Sequence, residues 1–394
     1  MHRLSTALGM PQHRFASIHV VGTNGKSSVA RMAAALLEAH GVSAGASVSP
    51  HTSRWSERVL VHGEEVGPAE FGAAVGRTAE AAAVVNRTLE EGEAVTQFEL
   101  ATAAAFVALA AARVKAAAIE AGLGGRLDAT NTIPSRVTVL TSVGLDHTQW
   151  LGESEEEIAA EKLAVLRDHS SLVLGRVGPE VAALAERTAR EHGAALVVAP
   201  EDPGPEIRLR AAGSFQRRNF ALACAAVEAF LGEKLDPERV AAVGAGIEVP
   251  GRLERVGSNP PVILDAAHNP DGARALAEAL DEIAAGRPVV ACLAILGDKD
   301  AAAMVDALAP ALARAVCTEL PADALAARGV SGATSHPAAE LARACKAAGL
   351  DAEAEADFAV AIRRGRELAD AAGGILLVAG SHYALAPARA ALAG

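Results

Sequence analysis

The segment Ile18-His-Val-Val-Gly-Thr-Asn-Gly-Lys-Ser-Ser28 decides the fold prediction for this chain. A run of mostly β-branched residues ends at Gly22, and an alanine-rich helical pattern begins at Lys26. This order of strand, glycine loop and helix is typical of a phosphate-binding loop, in which backbone N–H groups and a helix N-terminus face an anion. The strict motif, Gly-x-x-x-x-Gly-Lys, would place a glycine where this chain has Val20. An ordinary glycine-rich turn with a solvated lysine therefore remains the alternative.

The composition limits the classes of protein to consider. A chain of 394 residues exceeds the usual size of one domain, and 51% hydrophobic with 21% charged residues is typical of globular proteins. The net charge of −12 and the lack of a basic stripe disfavour nucleic-acid binding. No apolar run reaches the roughly 20 residues that span a bilayer. The four cysteines are widely spaced, so we expect free thiols and a cytoplasmic location.

Short apolar runs alternate with helical patterns along most of the chain, which predicts an α/β protein with mainly parallel sheets. We expect a P-loop ATPase-type domain over residues 1–249 and a smaller Rossmann-like domain over 250–394, joined near Pro250-Gly251. An antiparallel hairpin is predicted at 58–67. The predicted strands are 17–21, 44–48, 116–121, 137–143, 171–174, 261–264, 288–294, 313–317 and 374–379.

Two candidate ligands for a metal ion follow predicted strands. Glu120 closes the strand 116–120, and the carboxyl ends of parallel strands form the ligand crevice of open α/β sheets. Mg²⁺ prefers a few protein oxygens together with phosphates and waters, which suits Glu120. His147, in Leu145-Asp-His147, stands beyond the next strand. The alternatives are an ordinary exposed acid and a structural histidine.

Two further segments have the composition of ligand-binding loops. Gly124-Gly-Arg-Leu-Asp-Ala-Thr-Asn131 combines glycines with polar side chains, although Asp128 or Asn131 alone would suit a capped turn. Asp265-Ala-Ala-His-Asn-Pro270 begins a helix at Asn269-Pro270 by capping rules. Helix capping at Asn269-Pro270, however, requires neither Asp265 nor His268. Lys162, on an amphipathic helix beside Glu161, gives no signal by itself.

Taken in order, these motifs resemble the Mur ligase superfamily and, within it, the dihydrofolate synthase/folylpolyglutamate synthase family. The sequence departs from that family's usual pattern at several points: Ser27 directly follows Lys26, Ala266 replaces a glycine, and Gly380-Ser-His-Tyr383 stands where the family has Gly-Ser-Leu-Tyr. Only residues 1–15 precede the first predicted strand, where the family usually has one or two helices. The similarity rests on Gly22-Thr-Asn-Gly-Lys26, Ser49-Pro-His51, Glu120-Ala-Gly-Leu-Gly-Gly-Arg-Leu-Asp-Ala-Thr-Asn131, Leu145-Asp-His147, Glu161-Lys162, Gln216 with Asn219, Pro250-Gly-Arg252, Asp265-Ala-Ala-His-Asn-Pro270 and Asp298-Lys-Asp300.

The resemblance implies an ATP-dependent ligase that joins L-glutamate to a pteroate or folate carboxylate through an acyl phosphate. It implies a monomer with small-molecule substrates, ATP and two Mg²⁺ ions. For nucleotide binding it implies Thr23, Asn24, Gly25, Lys26, Ser27, Asn219, Arg252, Asp265 and His268. For the metals it implies Ser49, Glu120, His147 and Lys162, the last often carbamylated in this family. For the folate side it implies Gln97, Phe98, Arg126, Asp128, Thr130 and Asn131. The residues assigned to catalysis are Lys26, Lys162 and His268.

Two other readings of the same residues remain. One is a Mur-superfamily ligase acting on a peptidoglycan-type precursor, which the Gly122-to-Asn131 block and the lack of an additional UDP-binding domain disfavour. The other is a P-loop NTPase or kinase, which would leave Arg252 and the segment 265–270 without a role.

Overall fold

A computed structural model describes residues 1–326 and 333–393 of the chain. The backbone forms two compact units, one of Met1–Arg210 with Gln216–Ile247 and the other of Ala211–Phe215 with Glu248–Gly394. Each unit is a layered α/β structure built on one sheet, so the predicted fold class is confirmed. None of the described helices is long and apolar enough to cross a bilayer.

The sheet of the first unit has eight strands in the order β4-β3-β2-β5-β1-β6-β7-β8. The strands from β2 to β8 in that order run parallel, and the predicted hairpin is present as the antiparallel pair β3 and β4. The bounds are β1 Ala16–Val21, β2 Ala44–Ser47, β3 Val59–Val61, β4 Glu64–Glu65, β5 Ala116–Glu120, β6 Ser135–Leu140, β7 Ser171–Leu174 and β8 Ala195–Val198.

The helices of this part of the chain start at recognisable caps. Thr96 with Glu99, and Ser154 with Glu157, form capping boxes that satisfy backbone N–H groups at the starts of α4 and α6. The bounds are α1 His2–Ala7, α2 Lys26–Ala39, α3 Pro68–Asn86, α4 Gln97–Ala111, α5 Thr148–Leu151, α6 Glu155–Leu163, α7 Pro179–Glu191, α8 Ser214–Leu231 and α9 Pro237–Gly246.

The order of the central strands places several candidate residues at the carboxyl ends of neighbouring strands. β1 lies between β5 and β6, and the three strands are parallel. Their carboxyl ends are therefore adjacent: Glu120 ends β5, the glycine loop follows Val21 of β1, and a further segment follows Leu140 of β6. β5 consists largely of buried alanines, which keeps this sheet centre thin enough for helices to pack closely on it. Loops at the carboxyl ends of such strands form the ligand-binding crevice of open α/β sheets.

The sheet of the second unit has six strands in the order β13-β12-β11-β14-β10-β9, and only the edge strand β9 runs antiparallel to its neighbour. The strands are β9 Glu254–Ser258, β10 Pro261–Leu264, β11 Val289–Leu293, β12 Arg314–Cys317, β13 Ala352–Ala354 and β14 Ile375–Ala379. The helices are α10 Pro270–Ala284, α11 Ala301–Leu308, α12 Ala322–Ala326, α13 Ala338–Ala347, α14 Phe358–Ala371 and α15 Leu385–Ala393.

Candidate active site

The glycine loop between β1 and α2 is shaped around backbone positions that exclude side chains. Gly25 caps α2 with a left-handed φ of +85°. A Cβ on Gly25 would lie 2.6 Å from Asn219 Oδ1, so the side-chain amide of Asn219 sits directly against the loop. Asn219 is held in turn by the fully buried Gln216, whose Oε1 accepts a 3.0 Å bond from Asn219 Nδ2. The structure thus brings together Gly25 and Asn219, two residues predicted to bind nucleotide.

The two residues that follow β6 form hydrogen bonds with the same loop. Thr23 N donates to Ser142 O at 2.8 Å, Asn24 N donates to Ser142 Oγ at 3.0 Å, and Thr141 Oγ1 donates to Asn24 O at 2.6 Å. A Cβ on Gly22 would lie 1.9 Å from Thr141 Oγ1. Sequence analysis missed Thr141 and Ser142, because hydroxyl residues near the end of a predicted strand carry no distinguishing pattern.

Two lysines converge on one carbonyl oxygen of the loop. Lys26 Nζ donates to Gly22 O and to Thr23 O, each at 3.0 Å, and Lys162 Nζ donates to Gly22 O at 3.0 Å. Lys162 is only 4% exposed, and burial together with the positive charge of Lys26 lowers its pKa to about 7. A large fraction of the Lys162 side chain is therefore a neutral, nucleophilic amine near neutral pH.

Glu120 anchors a cluster of oxygen atoms next to the loop. Its Oε1 lies 3.0 Å from Ser27 Oγ, its Oε2 accepts a 2.6 Å bond from Ser49 N, and Ser27 Oγ is also 2.9 Å from Ser49 O. Within residues 1–326 and 333–393 no three His, Cys, Asp or Glu side chains are grouped as a metal site. Mg²⁺ takes few carboxylates and completes its shell with phosphate and water oxygens, so the oxygens around Glu120 fit this ion.

His147 lies in the segment that leaves β6, immediately before α5. Its backbone adopts a left-handed φ of +53°, and its N–H donates to Asp146 Oδ1 at 2.9 Å. The imidazole is 38% exposed, with Nε2 3.9 Å from Asp146 Oδ1. The ring is thus half-exposed in the segment that follows β6.

Asp128 organises the loop that follows β5. Its Oδ2 accepts hydrogen bonds from the N–H groups of Gly122 at 3.0 Å and Leu123 at 2.9 Å, and its Oδ1 accepts from Thr130 N at 2.9 Å and from the Thr130 hydroxyl. The Phe98 ring packs on Gly122, where a Cβ would lie 2.2 Å from Phe98 Cζ. Both oxygens of the Asp128 carboxylate therefore accept hydrogen bonds from within this loop. The predicted folate-side residues Asp128 and Thr130 lie in the loop, and Phe98 packs against it.

The second half of this loop is tied to α6, the helix that carries Lys162. A Cβ on Gly125 would lie 2.6 Å from Glu161 O and 2.8 Å from Lys162 O. Arg126 donates through its backbone N to Glu161 O at 3.1 Å and through Nε to Glu161 Oε1 at 2.8 Å. Asn131 Nδ2 donates to Arg126 O at 2.9 Å. Gln97, by contrast, is the exposed first residue of α4.

The second unit holds Asp265 and His268 at the start of α10. Asp265 is 3% exposed, and its carboxylate accepts from Leu253 N at 2.9 Å and Ala267 N at 2.8 Å. Burial raises the pKa of Asp265 against the opposing effect of Arg252. His268 Nδ1 lies 2.9 Å from Ala266 O. Asn269 caps the helix through a 2.8 Å bond from Gly272 N, so capping accounts for Asn269 but not for the other two side chains.

Comparisons with known proteins agree with this arrangement. The family model described as "Mur ligase, glutamate ligase domain" matches residues 251–382. A dihydrofolate synthase/folylpolyglutamate synthase of Mycobacterium tuberculosis is 37% identical over 352 residues, which cover 80% of this chain and 72% of that protein.

Two solved structures extend the similarity over the whole chain. Mycobacterium tuberculosis folylpolyglutamate synthase complexed with ADP matches with a TM-score of 0.89 and 32% identity, over 99% of this chain and 93% of that one. The bifunctional folylpolyglutamate synthase/dihydrofolate synthase of Yersinia pestis, complexed with AMPPNP and Mn ion, matches with a TM-score of 0.84 and 28% identity, over 99% and 92%.

The fold and the site together define an ATP-dependent ligase built on a phosphate-binding loop. More particularly, the chain belongs to the dihydrofolate synthase/folylpolyglutamate synthase family. The family predicted from the sequence motifs is thereby confirmed, and the readings as a simple NTPase or kinase and as a peptidoglycan-precursor ligase are set aside.

Proposed function

We propose that this enzyme joins the amino group of L-glutamate to the carboxylate of a pteroate or folate, with cleavage of ATP to ADP and phosphate. The observation that carries the proposal is the contact of Lys162 with Gly22 O. It links the phosphate loop to α6, and α6 is bonded to the loop of Arg126 and Asp128. The groups proposed to hold the phosphates and those proposed to hold the acid are therefore parts of one connected framework.

The reaction requires two anions to be held in line. A carboxylate oxygen of the acid attacks the γ-phosphorus, ADP leaves, and an acyl phosphate forms. The glutamate amine then attacks the acyl carbon, phosphate leaves, and the amine loses a proton. Positioning and charge neutralisation supply most of the acceleration in such reactions. In our proposal the backbone of Thr23, Asn24 and Gly25 and the Ser27 hydroxyl cradle the phosphates, and the Lys26 ammonium neutralises their charge.

The remaining assignments complete the nucleotide and acid sites. Asn219 lies against Gly25 and is proposed to contact the nucleotide. Arg252, Asp265 and His268, in the predicted ligase domain of residues 250–394 that follows the predicted ATP-binding domain of residues 1–249, are also proposed to bind nucleotide. The acid is proposed to contact Gln97, Phe98 and the loop from Arg126 to Asn131, including Asp128 and Thr130. We further propose a cytoplasmic monomer.

Two Mg²⁺ sites are proposed, with Ser49, Glu120, His147 and a carbamylated Lys162 as the protein ligands. When bound, the metal neutralises phosphate charge. Carbamylation requires a neutral amine, and the lowered pKa of Lys162 supplies one. The Lys162→Ala variant is expected to lose activity and to recover part of it with added short-chain carboxylic acids. Full activity of this variant without rescue would remove Lys162 from the proposal.

The decisive experiment measures ADP and phosphate release with each substrate omitted in turn. Release is expected only when dihydropteroate or a folate and L-glutamate are both present with ATP and Mg²⁺, and mass spectrometry should detect a product one glutamyl residue heavier. Release without glutamate would favour a kinase or NTPase activity. Release with a peptidoglycan-type precursor, and with no folate, would overturn the assignment of the acid substrate.

A further inference from the structure

A buried histidine on β1 lies behind the loop that follows β5. His19 has no exposed surface, and its Nε2 lies 2.8 Å from Thr130 Oγ1. Burial, reinforced by the positive charge of Arg167, lowers the pKa of His19 to about 3. The ring is therefore neutral near pH 7, with a proton on only one of its two nitrogens.

The hydrogen bonds around Thr130 fix which nitrogen carries that proton. The Thr130 hydroxyl donates its single proton to Asp128 Oδ1, so the oxygen can only accept from His19. Nε2 is then the protonated nitrogen and the donor. His19 Nδ1 is fully buried and has no hydrogen-bond partner within the described residues, in accord with an unprotonated nitrogen.

The far end of this chain of hydrogen bonds reaches the backbone of the loop. Asp128 Oδ2 accepts from Gly122 N at 3.0 Å and from Leu123 N at 2.9 Å, two residues that follow Glu120 closely. A continuous path therefore runs from His19 through Thr130 and Asp128 to the start of the loop. Bonds to an ionised acceptor are stronger and more directional than neutral ones, so the carboxylate is a firm anchor for these two N–H groups.

We propose that His19 is a positioning residue that, by donating to the Thr130 hydroxyl, keeps Asp128 bonded to Gly122 and Leu123 and so holds the loop in the shape that binds the acid substrate. This inference rests on the proposed function, because it assumes that the loop of Asp128 contacts the acid. Without the donor at Nε2, the Thr130 hydroxyl can rotate away from Asp128, and a buried polar atom loses its partner. The phosphate loop keeps its own bonds to Thr141 and Ser142.

A matched pair of substitutions separates this role from simple packing. In His19→Gln the side-chain amide nitrogen reaches the position of Nε2, whereas in His19→Asn it reaches only the position of Nδ1. We expect His19→Asn to raise KM for the folate substrate about tenfold, the effect of losing one buried hydrogen bond, and to leave KM for ATP unchanged. His19→Gln should restore KM for the folate to near the wild-type value.

Amide hydrogen exchange of the peptide covering residues 120–131 provides a readout that needs no turnover. The exchange is expected to accelerate in His19→Asn and in Thr130→Val, which breaks the path from its other side, and to stay slow in His19→Gln. If His19→Asn fails to fold, amide exchange of Thr130→Val without bound folate tests the path, because its KM would also change if Thr130 contacts the acid directly. If the wild-type protein ligates no glutamate, the proposed function fails while the exchange data still test the hydrogen-bond path.

Three results would overturn the inference. They are unchanged exchange and folate KM in Thr130→Val, equal losses in His19→Asn and His19→Gln, and a rise in KM for ATP that matches the rise for the folate. The second would mean that His19 acts only by filling space.

Discussion

Replacing Lys162 by methionine tests whether a lysine is buried in its neutral form beside the phosphate loop. In the unfolded chain this lysine has the ordinary pKa of 10.5, and in the folded protein burial and Lys26 lower it to about 7. Between these values the unfolded state binds one more proton than the folded state, so the free energy of unfolding rises with pH. Below pH 7 both states are protonated and this dependence disappears.

The size of the effect follows from the two pKa values. One proton of difference changes the free energy of unfolding by about 1.4 kcal/mol per pH unit, and the folded lysine is already half neutral at pH 7. The free energy of the wild type should therefore rise by about 2 kcal/mol relative to Lys162→Met between pH 7 and pH 9. Methionine keeps an unbranched apolar chain in the buried site, so the comparison isolates the ammonium group.

Urea unfolding followed by tryptophan fluorescence reports on the structural unit that contains Lys162. Both tryptophans of the chain, Trp55 and Trp150, lie in the first unit. The buffers are free of carbonate and contain EDTA, so that neither a carbamate nor a metal ion consumes the amine. Lys115→Met, which removes an exposed ammonium of the same unit, gives the background of losing one charge. A difference that stays flat between pH 7 and pH 9 after this correction would refute the reasoning.

Two further predictions follow from the geometry of the site. Gly125→Ala would place a Cβ 2.6 Å from Glu161 O and 2.8 Å from Lys162 O, so α6 must shift, and we expect a loss of about 1–3 kcal/mol in stability and a lower kcat. Gly76→Ala is the control, because open space surrounds its Cβ on α3 and the substitution should cost no stability. Equal thermal shifts for the two variants would contradict the argument. Lys26→Ala should lower kcat/KM for ATP at least about a hundredfold while circular dichroism reports an intact fold, because in our proposal this lysine binds phosphate and is not part of the core. Activity equal to that of Lys115→Met would refute the assignment.

The sequence predicted the fold class because its strongest signals are local. The nine strands predicted from apolar runs are all present, several with ends that differ by a few residues. The structure also contains β8, β9 and β13, which the sequence analysis did not predict. β8, Ala-Leu-Val-Val, is an apolar run that the sequence analysis overlooked. β9 is a largely polar, half-exposed edge strand and β13 has only three residues, so neither has a sustained apolar run.

The candidate site was predictable where a motif marks it and not where tertiary packing creates it. Lys162 beside Glu161 has the pattern of a solvated helix face, yet it is buried, because α6 packs against the loop at Gly125. His19 lies on β1 and Thr141 directly follows β6, and the residues that they contact come from other parts of the chain. Ala266, where the resembled family has a glycine, is not among the described residues with a positive φ, so the alanine is tolerated there.

The two lysines at Gly22 explain why the chemical state of Lys162 matters to the whole site. As an ammonium, Lys162 repels Lys26 across a shared carbonyl oxygen, and this repulsion adds to burial in lowering its pKa. A neutral amine removes the repulsion but carries no negative charge to attract Lys26. A carbamate reverses the sign of the charge and turns the repulsion into attraction, while adding oxygen ligands near Glu120 in our proposal. Carbon dioxide should therefore raise the stability of the wild type and leave Lys162→Met unaffected, because the substituted side chain has no amine to modify.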